Sequence, residues 1–283
     1  IFILKDKEEA SYFINDLENI LEKKILFFPE SYRRTYQFSE TDNSNILLRA
    51  EVLNKLNSNK TPIIITYPEA LSEKVISRNE LKKQTIKLQI GQTCDIENLI
   101  EEFEKLYFVQ SDFVTDPGQF SVRGGIVDVF SFANEYPYRI EFNEDELESI
   151  RTFDINTQLS IENHKNVVII PNTEAKKTNS KKTSFINYLP SNSQLWIKDI
   201  SFICGKIDDL FQKSQNESQR NNKNIKLDFK DLFCSGSDFI NEIKTYKIIE
   251  LERPILHPLK TISLNISPLT IFNKNIDLSL IHI

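Results

Sequence analysis

The first part of the chain alternates short, continuously apolar segments with longer segments whose apolar residues recur every three or four positions. The second pattern predicts helices over residues 7–21 and 45–56, with Asp6 and Ser44 as their N-caps. Pro68 is expected to open a third, short helix, since proline is tolerated in a first turn. Continuously apolar strands between helices are typical of a parallel sheet covered on both faces. The predicted strands are residues 1–4, 25–28 and 62–67, and the first helix is expected to bury Ala10, Phe13, Leu17 and Ile20 or Leu21.

After the third strand and its short helix, apolar and polar residues begin to alternate. Residues 86–90 have the pattern of a half-exposed strand, and Thr93 or Asp95 is expected to cap a helix that runs to about residue 106. Residues 113–163 are rich in strand patterns joined by short connections, which predicts an antiparallel sheet. The sequence therefore predicts an inserted α+β domain, residues 85–170.

Residues 113–154 are the stretch whose backbone the sequence specifies most closely. Gly118 ends an Asp-Pro-Gly triplet, in which proline fixes one φ angle and glycine permits a positive one, so a turn is predicted. Gly124 and Gly125 interrupt a strand pattern, which indicates a bulge or a close backbone approach.

The same stretch predicts a sheet with one covered and one open face. Period-two alternation places Arg123, Arg139 and Glu141 on the open face. Two arginines on neighbouring strands are typical of a protein-recognition surface, because guanidinium groups bind carboxylates bidentately. A solvated face with cross-strand Arg–Glu pairs would give the same pattern. The residues predicted to face inward are Phe120, Val122, Tyr138, Ile140 and Phe142, alternating with Ser121 and the charged positions.

The last third is expected to return to the α/β pattern and to complete the parallel-sheet domain. On this reading, the domain consists of residues 1–84 and 171–283. Residues 216–226 are polar and rich in asparagine, without apolar periodicity, and are predicted to be a mobile loop. The other predicted elements are an apolar strand from residue 167, a polar loop over 176–183, helices over 184–189, 200–215 and 238–244, and strands over 194–197, 246–251 and 261–266.

Composition limits the classes of function. The formal net charge is −6, which does not favour non-specific binding of nucleic acid. Apolar runs are too short to span a membrane, so a cytoplasmic protein is expected. Cys94, Cys204 and Cys234 are an odd number without paired spacing and are interpreted as reduced, incidental thiols. The three histidines are far apart in sequence, so neither a metal site nor any cofactor is predicted.

The motifs of common catalytic sites are missing from the sequence. It contains no phosphate-binding loop, no dinucleotide-binding glycine pattern, no acidic nucleotide-hydrolysis motif after an apolar strand, and no nucleophile-elbow or zinc-protease motif. The acidic run from Glu144 to Glu146 is interpreted as a solvated turn, because three adjacent acids cannot all face one ion. We therefore expect no enzymatic activity in this chain. The sequence lacks methionine and starts with a strand pattern, and on this basis it is expected to be a fragment.

The stretch from Asp116, D-P-G-Q-F-S-V-R-G-G-I-V-D-V-F, is followed from Pro137 by P-Y-R-I-E-F and later by E-L-E-S-I-R-T-F-D. Together these resemble the N-terminal UvrB-homology module of the bacterial transcription-repair coupling factors, Mfd. UvrB carries a similar segment whose usual form is closer to R-G-T-F-R-V-R-G-D. Further agreement extends the resemblance over essentially the whole chain. It lies in L-R-A-E-V-L over 48–53, Q-L-W-I-K-D over 194–199 and F-N-K-N over 272–275.

The resemblance implies a fold, a partner and site residues. The fold would be a degenerate helicase-like (RecA- or Rossmann-like) parallel-sheet domain without a phosphate-binding loop. The inserted domain would carry the surface that binds UvrA, the damage-recognition subunit of nucleotide excision repair. The family's two contact arginines correspond to Arg123 and Arg139. The contact would include Glu141 and Asn143, although the family usually has an aromatic residue at the latter position. In the complete protein, an ATP-dependent DNA translocase motor and RNA polymerase binding would lie in other domains. The same surface would be held against the protein's own C-terminal region until needed.

Two other functions remain open at this stage. A UvrB-like helicase module that binds ATP and DNA would require a phosphate-binding loop and an aromatic-rich hairpin, and residues 67–88 carry no aromatic cluster. A structural scaffold would use Arg123 and Arg139 only to pair with Glu141 or its neighbours. UvrA binding by arginine variants would separate recruitment from a scaffold, and nucleotide titration would test the helicase module.

Overall fold

A computed structural model gives the fold, and it describes residues 1–31, 43–58, 61–173, 181–220, 229–251 and 260–262. Residues 1–253 form one compact unit; residues 254–283 group separately, and their described part, 260–262, has no regular secondary structure. The helices are α1 Lys7–Leu21, α2 Asn43–Asn57, α3 Pro68–Ser72, α4 Arg78–Lys83, α5 Ile96–Lys105, α6 Phe185–Tyr188, α7 Ile200–Arg220 and α8 Gly236–Ile243, with a 3-10 turn at Phe229–Asp231. The strands are β1 Phe2–Ile3, β2 Leu26–Phe27, β3 Ile64–Thr66, β4 Val75–Ile76, β5 Ile86–Gln89, β6 Val109–Gln110, β7 Gln119–Arg123, β8 Ile126–Val129, β9 Tyr138–Asn143, β10 Glu146–Phe153, β11 Ser160–Asn163, β12 Asn166–Ile169, β13 Lys182–Thr183, β14 Gln194–Lys198 and β15 Lys247–Leu251.

The predicted parallel sheet is present and has five strands in the order β15-β14-β1-β3-β2, each parallel to its neighbour. Ile3, Ile64 and Ile197 are fully buried on it, as expected for strands that are continuously apolar. Strands from the first and last thirds of the chain therefore share one sheet. With the second, largely antiparallel sheet, the architecture is α/β overall.

Two details of the first helices differ from the prediction. Asp6 caps α1 as expected, since its side chain accepts a hydrogen bond from the backbone N–H of Glu9. However, of the predicted apolar stripe of α1 only Ala10 is buried, Phe13 and Leu17 are half-buried, and Ile20, at 74%, and Leu21 are exposed. Helix α2 begins at Asn43, which places Ser44 inside the helix rather than at its cap.

The second sheet has six strands in the order β11-β10-β9-β8-β7-β6. All neighbouring pairs are antiparallel except β6 and β7, which are parallel. Asp95 caps α5, and Phe103 of that helix packs on Phe108 and Phe120 with ring centroids 5.4 and 5.3 Å apart. One face of the six-stranded sheet is therefore covered by α5, while the opposite face carries the charged side chains.

Several predictions for residues after 163 were wrong. Strand β12, at which the α/β pattern was expected to return, pairs antiparallel with β5 in a separate two-stranded sheet, within the predicted bounds 85–170 of the inserted domain. Helix α7 continues to Arg220, so the predicted loop over 216–226 is helical in its first part, and residues 221–228 lie outside the described residues. Residues 182–183, predicted as loop, form β13, which pairs with β4. Of the predicted strand over 261–266, the two described residues are not in a strand.

The cysteines are free thiols, as interpreted from the sequence. Burial raises the pKa of Cys204 to about 11 and that of Cys234 to about 12, which keeps both protonated near neutral pH. Glu144 and Asp145 form the exposed turn between β9 and β10 that the sequence predicted, while Glu146, also exposed, is the first residue of β10. In the part of the chain that the structure describes, no helix is long and apolar enough to cross a membrane.

Candidate protein-interaction surface

The face of the six-stranded sheet opposite α5, here called the outer face, is organised around the carboxylate of Asp128. Strand β8 pairs with β7 and β9 so that Asp128 lies opposite Ser121 on one side and Arg139 on the other. Asp128 is only 2% exposed. A buried carboxylate requires charged partners, and two arginines supply them.

Arg139 binds Asp128 through two parallel hydrogen bonds, from Nε to Oδ1 at 2.7 Å and from Nη2 to Oδ2 at 2.8 Å. The same Nη2 also donates to Oε1 of Gln158 at 2.9 Å. The guanidinium carbon lies 4.3 Å from the ring centroid of Phe153, and the side chain is 14% exposed. The hydrogen bonds to Asp128 raise the pKa of Arg139 above its ordinary value. Arg139 is thus largely a structural partner of Asp128.

Arg123 approaches the same carboxylate from β7, with Nη2 2.5 Å from Oδ2 of Asp128. Its side chain is 39% exposed, and Nε and Nη1 donate to no other described residue. Its guanidinium carbon lies 5.2 Å from the ring centroid of Phe113. Both residues line a shallow depression of about 500 Å³. Arg123 can therefore bind a partner while it keeps its contact with Asp128.

The predicted Arg–Glu pairing involves a different arginine. Glu141 accepts hydrogen bonds from Arg151 Nη1 at 2.9 Å, Arg151 Nη2 at 2.5 Å and Ser149 Oγ at 2.7 Å. Glu141 therefore pairs with Arg151 across β9 and β10, and not with Arg123 or Arg139 as the scaffold hypothesis expected. Asn143 is exposed at the end of β9.

The predicted alternation holds on β9 and only in part on β7. Tyr138, Ile140 and Phe142 are buried, with Arg139 and Glu141 between them. On β7, Ser121 is buried although it belongs to the outer face. Its hydroxyl donates to the carbonyl of Asp112, so the segment between β6 and β7 covers it.

A pH dependence is expected from the Glu141–Arg151 pair. Hydrogen bonds from Arg151 and Ser149 hold the pKa of Glu141 below its ordinary value. Because the folded-state pKa is the lower one, the pair stabilises the fold above the unfolded-state pKa, and this contribution is lost as the pH falls through the folded-state pKa. The difference in urea unfolding free energy between wild type and Glu141→Gln should therefore shrink from neutral pH towards about pH 3. Glu148→Gln, at an exposed position on β10, is the control, and an equal change in both variants would contradict the assignment.

Sequence reasoning missed Asp128, Phe113 and Arg151. Asp128 and Ile126 are two residues apart on β8, so they lie on the same face of the sheet. Alternation alone could therefore place Asp128 on the outer face. Its contact with both arginines depends on the register of three strands, which the sequence does not give. Phe113 lies outside any strand, and no periodic pattern indicates its position against Arg123.

The region that carries the outer face has a known counterpart. Residues 86–174 match the family model described as the UvrB interaction domain. The match includes the six-stranded sheet, α5 and both strands of the β5–β12 pair. The two strands that pair in the structure therefore belong to the same matched region. The candidate surface therefore lies in the part of the chain that is similar to the UvrB interaction domain.

Similar curated proteins are transcription-repair-coupling factors. The relative from Bacillus subtilis is 28% identical over 59% of this chain, and the one from Myxococcus xanthus is 28% identical over 62%. The relative from Rickettsia typhi is 32% identical over 62%. This chain spans only 14%, 15% and 16% of these three proteins, respectively. The predicted resemblance to the N-terminal UvrB-homology module of the transcription-repair coupling factors is confirmed, over about 60% of the chain rather than its whole length.

Proposed function

We propose that this chain acts in transcription-repair coupling as a non-catalytic docking module that recruits UvrA. The observation that carries the proposal is the location of the outer face, with its two arginines, inside the region that matches the UvrB interaction domain. The proposed contact residues are Arg123, Arg139, Glu141 and Asn143. Arginine is enriched at protein interfaces, and its planar group suits carboxylates on a partner.

The two arginines are proposed to act differently. Nε and Nη1 of Arg123 have no partner among the described residues, and its side chain is 39% exposed, so it contacts UvrA directly. Arg139 is mostly covered, and its Nε and Nη2 donate to Asp128 and Gln158, so its main contribution is to hold the carboxylate of Asp128. Asp128 in turn fixes the guanidinium of Arg123, which lowers the entropy lost on binding.

Replacement of Arg123 by alanine is expected to weaken UvrA binding by about tenfold without unfolding the domain. Asp128 keeps its two hydrogen bonds to Arg139 in this variant, so the free energy of unfolding should change by less than about 1 kcal/mol. The measurement is titration of the full 283-residue chain with UvrA at two salt concentrations, alongside urea unfolding.

Lys105→Ala is the control for this test, because it removes a positive charge from α5, the helix that covers the opposite face of the sheet, and because Lys105 pairs, among the described residues, only with the exposed Glu101. Recruitment through Arg123 requires that Lys105→Ala binds UvrA like wild type. Equal binding by wild type and Arg123→Ala would support a structural scaffold, with the ion pair to Asp128 in place of the pairing to Glu141 that the sequence suggested. Absence of binding by wild type would overturn recruitment itself.

The proposal extends to the rest of the protein in which this chain would act. The five-stranded parallel sheet, in a sequence without a phosphate-binding loop, supports a degenerate helicase-like domain formed by residues 1–84 and 171–283, with residues 85–170 inserted. RNA polymerase binding and an ATP-dependent DNA translocase would be supplied by other domains. The C-terminal region of the same protein would cover the outer face until UvrA is needed, and the protein would work in the cytoplasm.

A further inference from the structure

Phe113 is an exposed aromatic residue on a fixed segment of backbone. Its side chain is 62% exposed although it stands beside the centre of the outer face. The backbone N–H of Ser111 donates to the carbonyl of Phe120 at 2.9 Å, and the hydroxyl of Ser111 donates to the carbonyl of Phe113 at 2.9 Å. The buried Ser121 holds the residue between them through the carbonyl of Asp112, also at 2.9 Å. The ring is therefore presented to solvent by a short loop that three hydrogen bonds restrain.

The ring and Arg123 form a combined apolar and cationic feature. The guanidinium lies over the ring with 5.2 Å between its central carbon and the ring centroid. Such stacking fixes the plane of the guanidinium and leaves its edge for hydrogen bonds. Asp112, the residue before Phe113, also lines the depression, and its charge disfavours an acidic group close to it. A carboxylate is therefore favoured on the Arg123 side of the depression, and an apolar side chain is favoured against the exposed part of the ring.

We propose that Phe113 is the aromatic anchor of the UvrA contact. This inference rests on the proposed function and adds the chemistry of the partner's surface. UvrA would insert an apolar side chain against Phe113 and place an adjacent carboxylate on Nε and Nη1 of Arg123. Aromatic and arginine residues in partly enclosed positions carry a large share of binding energy at protein interfaces.

The other exposed apolar residues of the six-stranded sheet do not offer this combination. Leu159 and Ile161 lie at the opposite edge, next to or on β11, and are aliphatic. Val109 lies on β6, on the same side of the sheet as Phe113, and is also aliphatic. Phe113 is the exposed aromatic whose ring contacts an outer-face arginine among the described residues.

The test is UvrA binding by Phe113→Ala in the full chain, with Phe202→Ala as the control. Phe202 is an exposed phenylalanine on α7, a helix outside the region that matches the UvrB interaction domain, so it matches Phe113 in residue type. We expect Phe113→Ala to weaken binding about tenfold, and Phe202→Ala to stay within about threefold of wild type. Unfolding curves check that Phe113→Ala is folded.

The possible outcomes separate this inference from the proposed function. If Arg123→Ala weakens binding while Phe113→Ala binds like wild type, recruitment stands and the anchor is overturned. If Phe202→Ala weakens binding as much as Phe113→Ala, the effect is not local and the anchor is also overturned. If wild type does not bind UvrA, both the recruitment function and the anchor are wrong.

Discussion

Replacement of Arg139 by alanine is expected to lower the free energy of unfolding by about 3 kcal/mol, since it breaks a buried ion pair from one side. Asp128 is 2% exposed and receives two of its three hydrogen bonds from Arg139. Only the contact from the more exposed Arg123 would remain. Urea unfolding of wild type and variant measures the loss, which should persist at high salt because the pair is shielded from solvent.

A second substitution shows whether the loss comes from the stranded carboxylate. In the double variant Asp128→Asn/Arg139→Ala the buried charge is absent, so the double variant should be less destabilised than the sum of the two single variants. Strict additivity would mean that Asp128 and Arg139 do not interact in solution. Arg151→Ala, which leaves the partly exposed Glu141 unpaired, is expected to cost less than Arg139→Ala.

The role of Arg139 affects how binding experiments are interpreted. A variant that lacks both Arg123 and Arg139 could lose UvrA binding for two reasons. The direct contacts would be missing, and the sheet around the unpaired Asp128 would be disturbed. Arg123→Ala avoids this ambiguity, because Asp128 remains paired. A stability measurement therefore has to accompany every binding result at Arg139.

The sequence predicted the faces of the strands better than the partners of the side chains. The alternation of Tyr138, Ile140 and Phe142 with Arg139 and Glu141 was sufficient to place both charged residues on the outer face. The pairing of Arg139 with Asp128, and of Glu141 with Arg151, depends on cross-strand register. Register is set by turns and by packing between strands, which the period-two pattern does not report.

The errors in the fold have similar causes. Strand β12 is apolar enough for a parallel sheet, but its antiparallel pairing with β5 is a contact between segments far apart in sequence. The end of α7 was misjudged because residues 216–220 lack an apolar stripe, yet they continue a long helix already begun by buried residues such as Ile203 and Ile207. Local patterns gave the correct N-caps at Asp6 and Asp95, where the side chain itself forms the hydrogen bond, but not at Ser44, which lies inside α2.

The turn before β7 is expected to be highly sensitive to substitution, with Gly118→Ala costing about 3 kcal/mol of unfolding free energy. Gly118 has φ +87°, a backbone conformation that an L-residue adopts only with strain. A Cβ atom there would lie 2.7 Å from the ring of Phe132. That ring is buried and packs on Phe108, so it has little room to move. Strain and overpacking therefore add at this position, and urea unfolding measures their sum.

Gly124→Ala is the control that separates the two contributions, since Gly124 also has a positive φ, +60°, but a Cβ atom there would meet nothing within 4 Å. It is expected to cost about 1 kcal/mol, which is the backbone strain alone. If both variants were equally destabilised, the contact with Phe132 would not contribute. If Gly118→Ala were no more destabilising than Gly124→Ala in a Phe132→Leu background, the overpacking would be located at that ring.

The same substitution should also affect UvrA binding. The carbonyl of Gly118 accepts a hydrogen bond from the N–H of Val109 at 2.8 Å, so Gly118→Ala should disturb the edge of the sheet next to Phe113. It should therefore weaken UvrA binding more than Gly124→Ala does.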